Sequence, residues 1–360
     1  MNILIRTDSS HDIGSGHLMR CLTLADELRR AGAKIEFACR DLPGNLNRLI
    51  DEHGFLLLLL PENLPDQAAD AAATQNVLKT ANSLDWIIVD QYDLDHTWHT
   101  LMRPQTEHIM VIDDMADRHH DCDLLLDQNL YNDYETRYDC LVPDRSLRLL
   151  GPQYALLRRE FNTARQTLTE PSGRIARLLL FFGGPDPTGE TVKAVEAVRM
   201  LGRSEIAVEI IIGAANCHRE KITDLCADLP NGRLHVQVDN MAELMAHSDL
   251  ALGAVGSTTW ERCCLGLPTI FWATSDNEIE LAESCRQLDI GLYLGHHHQV
   301  TPASLKKRLV EVLENPQRLR EWSQKAAALV DGLGAKRVTR IIVGAIEDNL
   351  KNESIEVQHG

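Results

Sequence analysis

The feature that most constrains the fold is a repeated pairing: a short apolar run, then a stretch with helical periodicity. NILIRT (2–7) precedes a helix from about 17 to 31, and KIEFACR (34–40) precedes one near 45–53. FLLLLL (55–60) is followed by an alanine-rich helix near 66–82, and DWIIVD (85–90) by one near 95–103; HIMVIDD (108–114) and DLLLDQ (123–128) complete the series. Strands and helices alternating in this way build a parallel sheet with helices on both faces. FLLLLL is far too short to span a bilayer, which takes roughly 20 residues, and reads as a buried parallel strand.

Regularity lapses from about 130 to 173, where Tyr131, Tyr134, Tyr138, Pro143, Pro152 and a PSG turn fall. A second series then starts with RLLLFFGG (177–184), a helix near 190–201, AVEIIIG (207–213), a helix near 217–227, and LHVQV (234–238). It continues through a short helix at 242–248, DLALGAVG (249–256), a helix near 259–265, PTIFWA (268–273), a helix near 277–288 and IGLYLG (290–295). Helices are expected near 301–314, 318–330 and 334–350, then a frayed tail. The chain therefore reads as α/β, with two doubly wound, Rossmann-like domains in tandem. The boundaries place an N-terminal domain at 1–165, a C-terminal domain at 166–335, and a helix and tail at 336–360 that could cross back over the first domain. Ligands in such sheets sit at the carboxyl ends of strands, and the interdomain cleft is the expected site.

With 53 acidic against 36 basic residues, the formal charge is −17. Without a Lys/Arg-rich run, nucleic acid and stable membrane association are not expected partners. An anionic ligand must then be held by backbone N–H groups and helix ends. The nine cysteines show no C-x-x-C spacing and fit a reducing cytoplasm better than a disulfide framework. Cys263 and Cys264 read as small buried hydrophobes. The N-terminus has no basic and apolar leader pattern.

Two stretches carry chemistry. GAVGSTTWERCCLGLP (253–268) is a strand end, a small-residue loop and a helix. Gly253 and Gly256 permit close backbone approach and positive φ, Ser257 or Thr258 is placed to cap the helix, and Glu261 is within reach of a vicinal diol. A plain N-cap followed by a favourable acidic residue fits equally. Gly183-Gly184 and Gly213 leave strands on similar loops, and three such loops together favour a nucleotide diphosphate over simple turns. IGSGHLMRC (13–21) is not the dinucleotide fingerprint, since Met19 stands at the third glycine position, and it lacks the Walker lysine. Instead His17 opens a helix. The positive helix end disfavours imidazolium, so a neutral base is expected; a histidine half-buried against a strand is the alternative. Gly14 and Gly16 leave room for a sugar ring. Asp90, Tyr92, Asp113 and Asp114 lie at strand ends on the same rim and are candidates to orient His17 or to hydrogen-bond sugar groups. His119 and His120, adjacent in an extended segment, point apart and do not suggest a metal. HHH at 296–298 is expected in a solvated loop without a role.

RTDSSHDIGSGHLMRCLTLA, VDQYDLD, IDDMADRHHDCDLLLDQN, FFGGPDPTG and GAVGSTTWERCCLGLPTI, in this order, closely resemble the UDP-2,4-diacetamido-2,4,6-trideoxy-β-L-altropyranose hydrolases of pseudaminic acid biosynthesis. The resemblance runs from residue 2 to about 295. It implies a GT-B fold, akin to the glycosyltransferase that makes lipid II, and water attack at the anomeric carbon with inversion and loss of UDP. His17 is implied to activate that water, and the second-domain loop with Glu261 to hold UDP, the glutamate at the ribose. No metal and no cofactor are implied. The candidate set is thus His17 for catalysis, with Gly14, Gly16, Arg20, Tyr92, Gly184, Gly213, Gly256, Ser257, Thr258 and Glu261 for a UDP-sugar. Gln91-Tyr92-Asp93 departs from the His-Tyr-Gly often found in that family but keeps Tyr92. A GT-B glycosyltransferase using a UDP-sugar donor is the alternative.

Overall fold

The computed structural model describes residues 1–78, 84–168 and 173–345. The expected helix ends at 82 and 350, most of the PSG turn and the tail lie outside them. The first unit comprises β1 (Asn2–Thr7), α1 (Gly16–Arg30), β2 (Lys34–Arg40), α2 (Arg48–Glu52), β3 (Leu56–Leu60), α3 (Gln67–Val77), β4 (Leu84–Asp90), α4 (His96–Met102), β5 (Thr106–Ile112), β6 (Leu124–Asp127) and β7 (Leu147–Leu150). Its seven strands are parallel in the order β3-β2-β1-β4-β5-β6-β7. Alternate sides of the strands feed two apolar layers. Ile3, Ile5, Phe37 and Ile88 pack under α1, while Leu4, Ile87 and Val89 pack against Ala71 of α3 and Trp98 of α4.

The chain leaves this unit at Leu156 and returns at Leu333. Ala335, Val338 and Ile342, on a helix at 334–345, then join the layer beneath α1. Between these points the second unit carries α5 (Arg159–Arg165), β8 (Arg177–Phe181), α6 (Glu190–Leu201), β9 (Ala207–Ile212), α7 (Arg219–Ala227), β10 (Gly232–Val236), α8 (Met241–Ala246), β11 (Leu250–Ala254), α9 (Ser257–Cys264), β12 (Thr269–Ala273), α10 (Ile279–Gln287), β13 (Gly291–His296), α11 (Pro302–Leu313) and α12 (Pro316–Leu329). Its six strands run β10-β9-β8-β11-β12-β13, again parallel. In both sheets the first strand lies inside the order, so the winding reverses beside it. The reversal falls between β1 and β4 in one unit and between β8 and β11 in the other. Such switch points open a crevice at the strand C-termini.

Three expectations are corrected. FLLLLL is not a buried strand: β3 is the sheet edge, and Leu56 and Leu59 are 54% and 50% exposed. An edge strand has only one neighbour, so a fully apolar run there leaves side chains in water. The stretch expected to be irregular holds β7 and α5; β7 is four residues long with Arg148 inside it, too short and mixed to show a period. HHH is not a solvated loop, because His296 ends β13 and His296 and His297 are partly buried. All nine cysteines are free thiols, with Cys263 and Cys264 buried as expected.

Candidate active site

After β1 the chain makes a tight turn in which Ser10 Oγ accepts the N–H groups of Asp12 and Ile13 at 3.1 and 3.0 Å. The Gly14 N–H closes it on the Ser10 carbonyl at 2.9 Å, with φ of +79° at Gly14. This turn starts α1 at Gly16 and puts His17 in its first turn. β4 pairs with β1 so that Asp90 lies beside Thr7. The side chains meet there: His17 Nδ1 is 2.6 Å from Asp90 Oδ1. A carboxylate only accepts, so Nδ1 carries the proton and Nε2 is the nitrogen left for a ligand.

Asp90 is 1% exposed. Arg20, one helical turn beyond His17, grips it with Nε and an Nη at 2.6 Å each, and the Cys21 thiol donates at 3.4 Å. Burial alone would raise the Asp90 carboxyl. The Arg20 guanidinium and then His17 outweigh it and hold the group well below the usual carboxylate range. Tyr92 stands edge-on to the imidazole, with ring centroids 4.6 Å apart, and donates its hydroxyl to Asp114 at 2.5 Å. Asn129 donates to the other Asp114 oxygen at 3.1 Å, and Arg20 lies 3.6 Å from it.

Of the four groups considered as orienters of His17, Asp90 holds it directly and Tyr92 packs against it. Asp114 acts one step back, through Tyr92 and Arg20. Asp113 turns away to Arg118 and the Tyr138 hydroxyl. Arg20, expected to meet substrate, is committed to Asp90 and is 8% exposed, so its place is behind the histidine. Gln91 points inward to Asp8, to which it donates at 2.8 Å, so the departure at Gln91 belongs to the support of the β1 end. Asn129 was missed. Its signal was the polar DQN closing the β6 strand.

Asp127, the last residue of β6, is 2% exposed. Burial, with the nearby Asp114 and Asp113 charges, pushes its carboxyl up to about 8 against the opposing Asn129 N–H and Arg137. A carboxyl raised on folding contributes stability that is full below its unfolded pKa and is lost as pH climbs through about 8. Asp127→Asn removes that titration. The urea midpoint is therefore expected to fall less between pH 6 and pH 9 in the variant than in the wild type; equal falls would contradict this assignment.

In the second unit the three glycine loops part company. The N-terminus of α6 is filled by the chain itself: Asp186 accepts the N–H groups of Glu190 and Thr191 at 2.9 and 2.8 Å. Gly184 and Gly213 pack backbone to backbone, with the Gly213 N–H on the Gly184 carbonyl at 2.9 Å. A Cβ on Gly213 would stand 2.8 Å from the Gly184 Cα, so a small-residue pair is required there. Gly213→Ala should cost about 1–3 kcal/mol in urea denaturation; an unchanged midpoint would refute the close approach.

The α9 loop differs. Gly256, at φ +138°, is the N-cap, so neither Ser257 nor Thr258 caps the helix as expected; the Thr259 hydroxyl accepts the Gly256 N–H at 3.3 Å. Beneath it lies Arg262, 3% exposed. Its guanidinium donates to the Ala254 carbonyl at 2.8 Å and to the Thr258 and Thr259 hydroxyls at 3.2 Å. No carboxylate lies within ion-pair distance of it among the described residues. Burial lowers its pKa, with Glu261 and Glu278 opposing from farther off. A Cβ on Gly253 would come within 2.8 Å of this guanidinium. Helix N–H groups with a buried cation behind them are an arrangement that suits an anion. Glu261 follows on α9, its carboxylate 3.6 Å from Arg158 and its pKa raised chiefly by burial.

No protein-family model matches the chain. It is 27% identical over 266 residues to the UDP-2,4-diacetamido-2,4,6-trideoxy-β-L-altropyranose hydrolase of Campylobacter jejuni, covering 74% of this chain and 89% of that protein. To the spore coat polysaccharide biosynthesis protein SpsG of Bacillus subtilis it is 22% identical over 355 residues, 97% of this chain and all of that protein. A match at 24% identity to the uncharacterized MJ1062 of Methanocaldococcus jannaschii covers 75% of this chain but 55% of that longer protein. Among solved structures, Acinetobacter baumannii MurG aligns with TM-score 0.64 at 14% identity, over 95% of this chain and 99% of that one. The spinosyn rhamnosyltransferase SpnG aligns with TM-score 0.61 at 15% identity, over 94% and 100%. The fold is that of the GT-B class.

Proposed function

We propose that this chain is an enzyme acting on a nucleotide sugar, and that it hydrolyses the glycosyl C–O bond of UDP-2,4-diacetamido-2,4,6-trideoxy-β-L-altropyranose or a closely related UDP-sugar. The observation that carries the reading is the His17–Asp90 pair, 2.6 Å apart at a strand switch point, with Nε2 left to face a ligand. The similarity to the Campylobacter jejuni hydrolase supports it. In this reading Nε2 takes a proton from water as the oxygen attacks C1, the anomeric centre inverts, and the C1–O bond electrons leave with UDP. Asp90 stabilises the imidazolium that forms. The α9 N–H groups and the Arg262 charge stabilise the departing diphosphate, which explains anion binding by a chain of charge −17. Gly14 and Gly16 border the sugar end, Gly256, Ser257 and Thr258 the diphosphate, and Glu261 the ribose. Glu261→Ala is expected to weaken UDP binding in calorimetry; unchanged affinity would remove the glutamate from the ribose.

The second reading, sugar transfer to an acceptor hydroxyl, is favoured by the glycosyltransferases among the structural neighbours. It would use the same base on a different oxygen. Incubation with the UDP-sugar and no acceptor separates them: stoichiometric free sugar and UDP support hydrolysis, and turnover only on adding an acceptor supports transfer.

A further inference from the structure

At the end of β13 the chain turns through His297–Gln299, a single 3-10 turn, and three consecutive histidines converge there. In an extended segment adjacent side chains point apart; here the turn breaks that alternation. Gln299 fixes it by accepting the His296 N–H at 3.1 Å, and Gly295, at φ +94°, leaves the space that the Gln299 amide occupies. The ring centroids lie 3.8–4.9 Å apart, and one ring nitrogen of each histidine lies within 4.8 Å of the others. His296 Nε2 is buried with no hydrogen-bond partner among the described residues; Asp276, 3.5 Å away, is the carboxylate facing it. His297 Nδ1 is 3.5 Å from the fully buried Glu190, whose charge also neutralises Lys193.

We propose that His296, His297 and His298 form a binding site for a divalent transition-metal ion of the zinc type. Three imidazoles are the donor set such ions prefer, and a carboxylate behind one of them is the usual means of fixing its tautomer. Metal–nitrogen distances of about 2.0–2.1 Å call for the rings to close by side-chain rotation. Asp276 or water completes the coordination. The ion clips the β13–α11 turn shut beside the first turn of α6, and its role is to stabilise the second unit.

The test uses the untagged full-length chain, stripped with chelator and dialysed against zinc chloride, with bound zinc measured by mass spectrometry and Tm followed in parallel. His298→Gln changes an exposed side chain, so its fold is expected to be intact; His297→Ala probes the partly buried ligand. The wild type should bind one zinc ion with Kd of about 1 μM or tighter and gain Tm with zinc. Each variant should bind at least ~100-fold more weakly, at or beyond the cost of losing an outer partner. Wild-type binding weaker than ~100 μM, or zinc binding and a zinc-dependent Tm gain unaltered in His298→Gln, would overturn the proposal.

Discussion

His17→Phe is expected to lower turnover of the UDP-sugar by about 10²–10⁴-fold, the range a positioned general base supplies, while leaving UDP affinity unchanged. The fold should survive the change. Asp90 keeps both of its hydrogen bonds from Arg20, so no buried carboxylate is stranded. The UDP-holding groups are assigned to α9, in the other unit, so nucleotide binding should not register the loss. Single-turnover kinetics with calorimetric UDP titration checks both halves. Wild-type turnover in a clean preparation would end the catalytic assignment of His17.

Asp90→Asn should combine two losses. An amide in that position presents a donor toward His17 Nδ1, which favours the tautomer with the proton on Nε2 and removes the base. Tautomer reversal of this kind costs about 10⁴-fold in hydrolase triads. The substitution also leaves the buried Arg20 guanidinium without its main counter-charge, worth about 3–5 kcal/mol when a buried pair is broken, with Asp114 at 3.6 Å retaining a part. The sign with pH is fixed by the depressed Asp90 carboxyl. Its contribution is present above the ordinary carboxylate pKa and is lost as pH falls through the lower folded value. Wild-type stability should therefore drop on acidification more steeply than that of the variant. Parallel acid limbs in urea denaturation would show that Asp90 does not carry this charge in the fold.

The strand pattern and the order of the two α/β units were legible because parallel strands buried on both faces are near-continuous apolar runs. NILIRT and DWIIVD end at the residues that bring His17 and Asp90 together. What sequence did not disclose depends on partners distant along the chain. Arg20 reads as a substrate group until Asp90 is seen to take its Nε and one Nη, with Asp114 facing the other. Asp186 closes the α6 end that follows the glycine-rich loop, and Gly213 is small because Gly184 lies against it. FLLLLL carried no mark of its edge position, since strand order is set by the crossovers and not by the strand. The three histidines converge only because Gly295 and Gln299 bend the backbone, a local event that apolar periodicity does not report.

The central claim is that water, deprotonated at His17 Nε2, attacks C1 of the sugar and not phosphorus. Acceptor-free turnover in ¹⁸O-water tests it most directly, read on the UDP because the sugar's anomeric oxygen exchanges with solvent through ring opening. The account predicts complete conversion to free sugar with UDP carrying no ¹⁸O; label in the terminal phosphate of UDP, or no conversion without an acceptor, would contradict it.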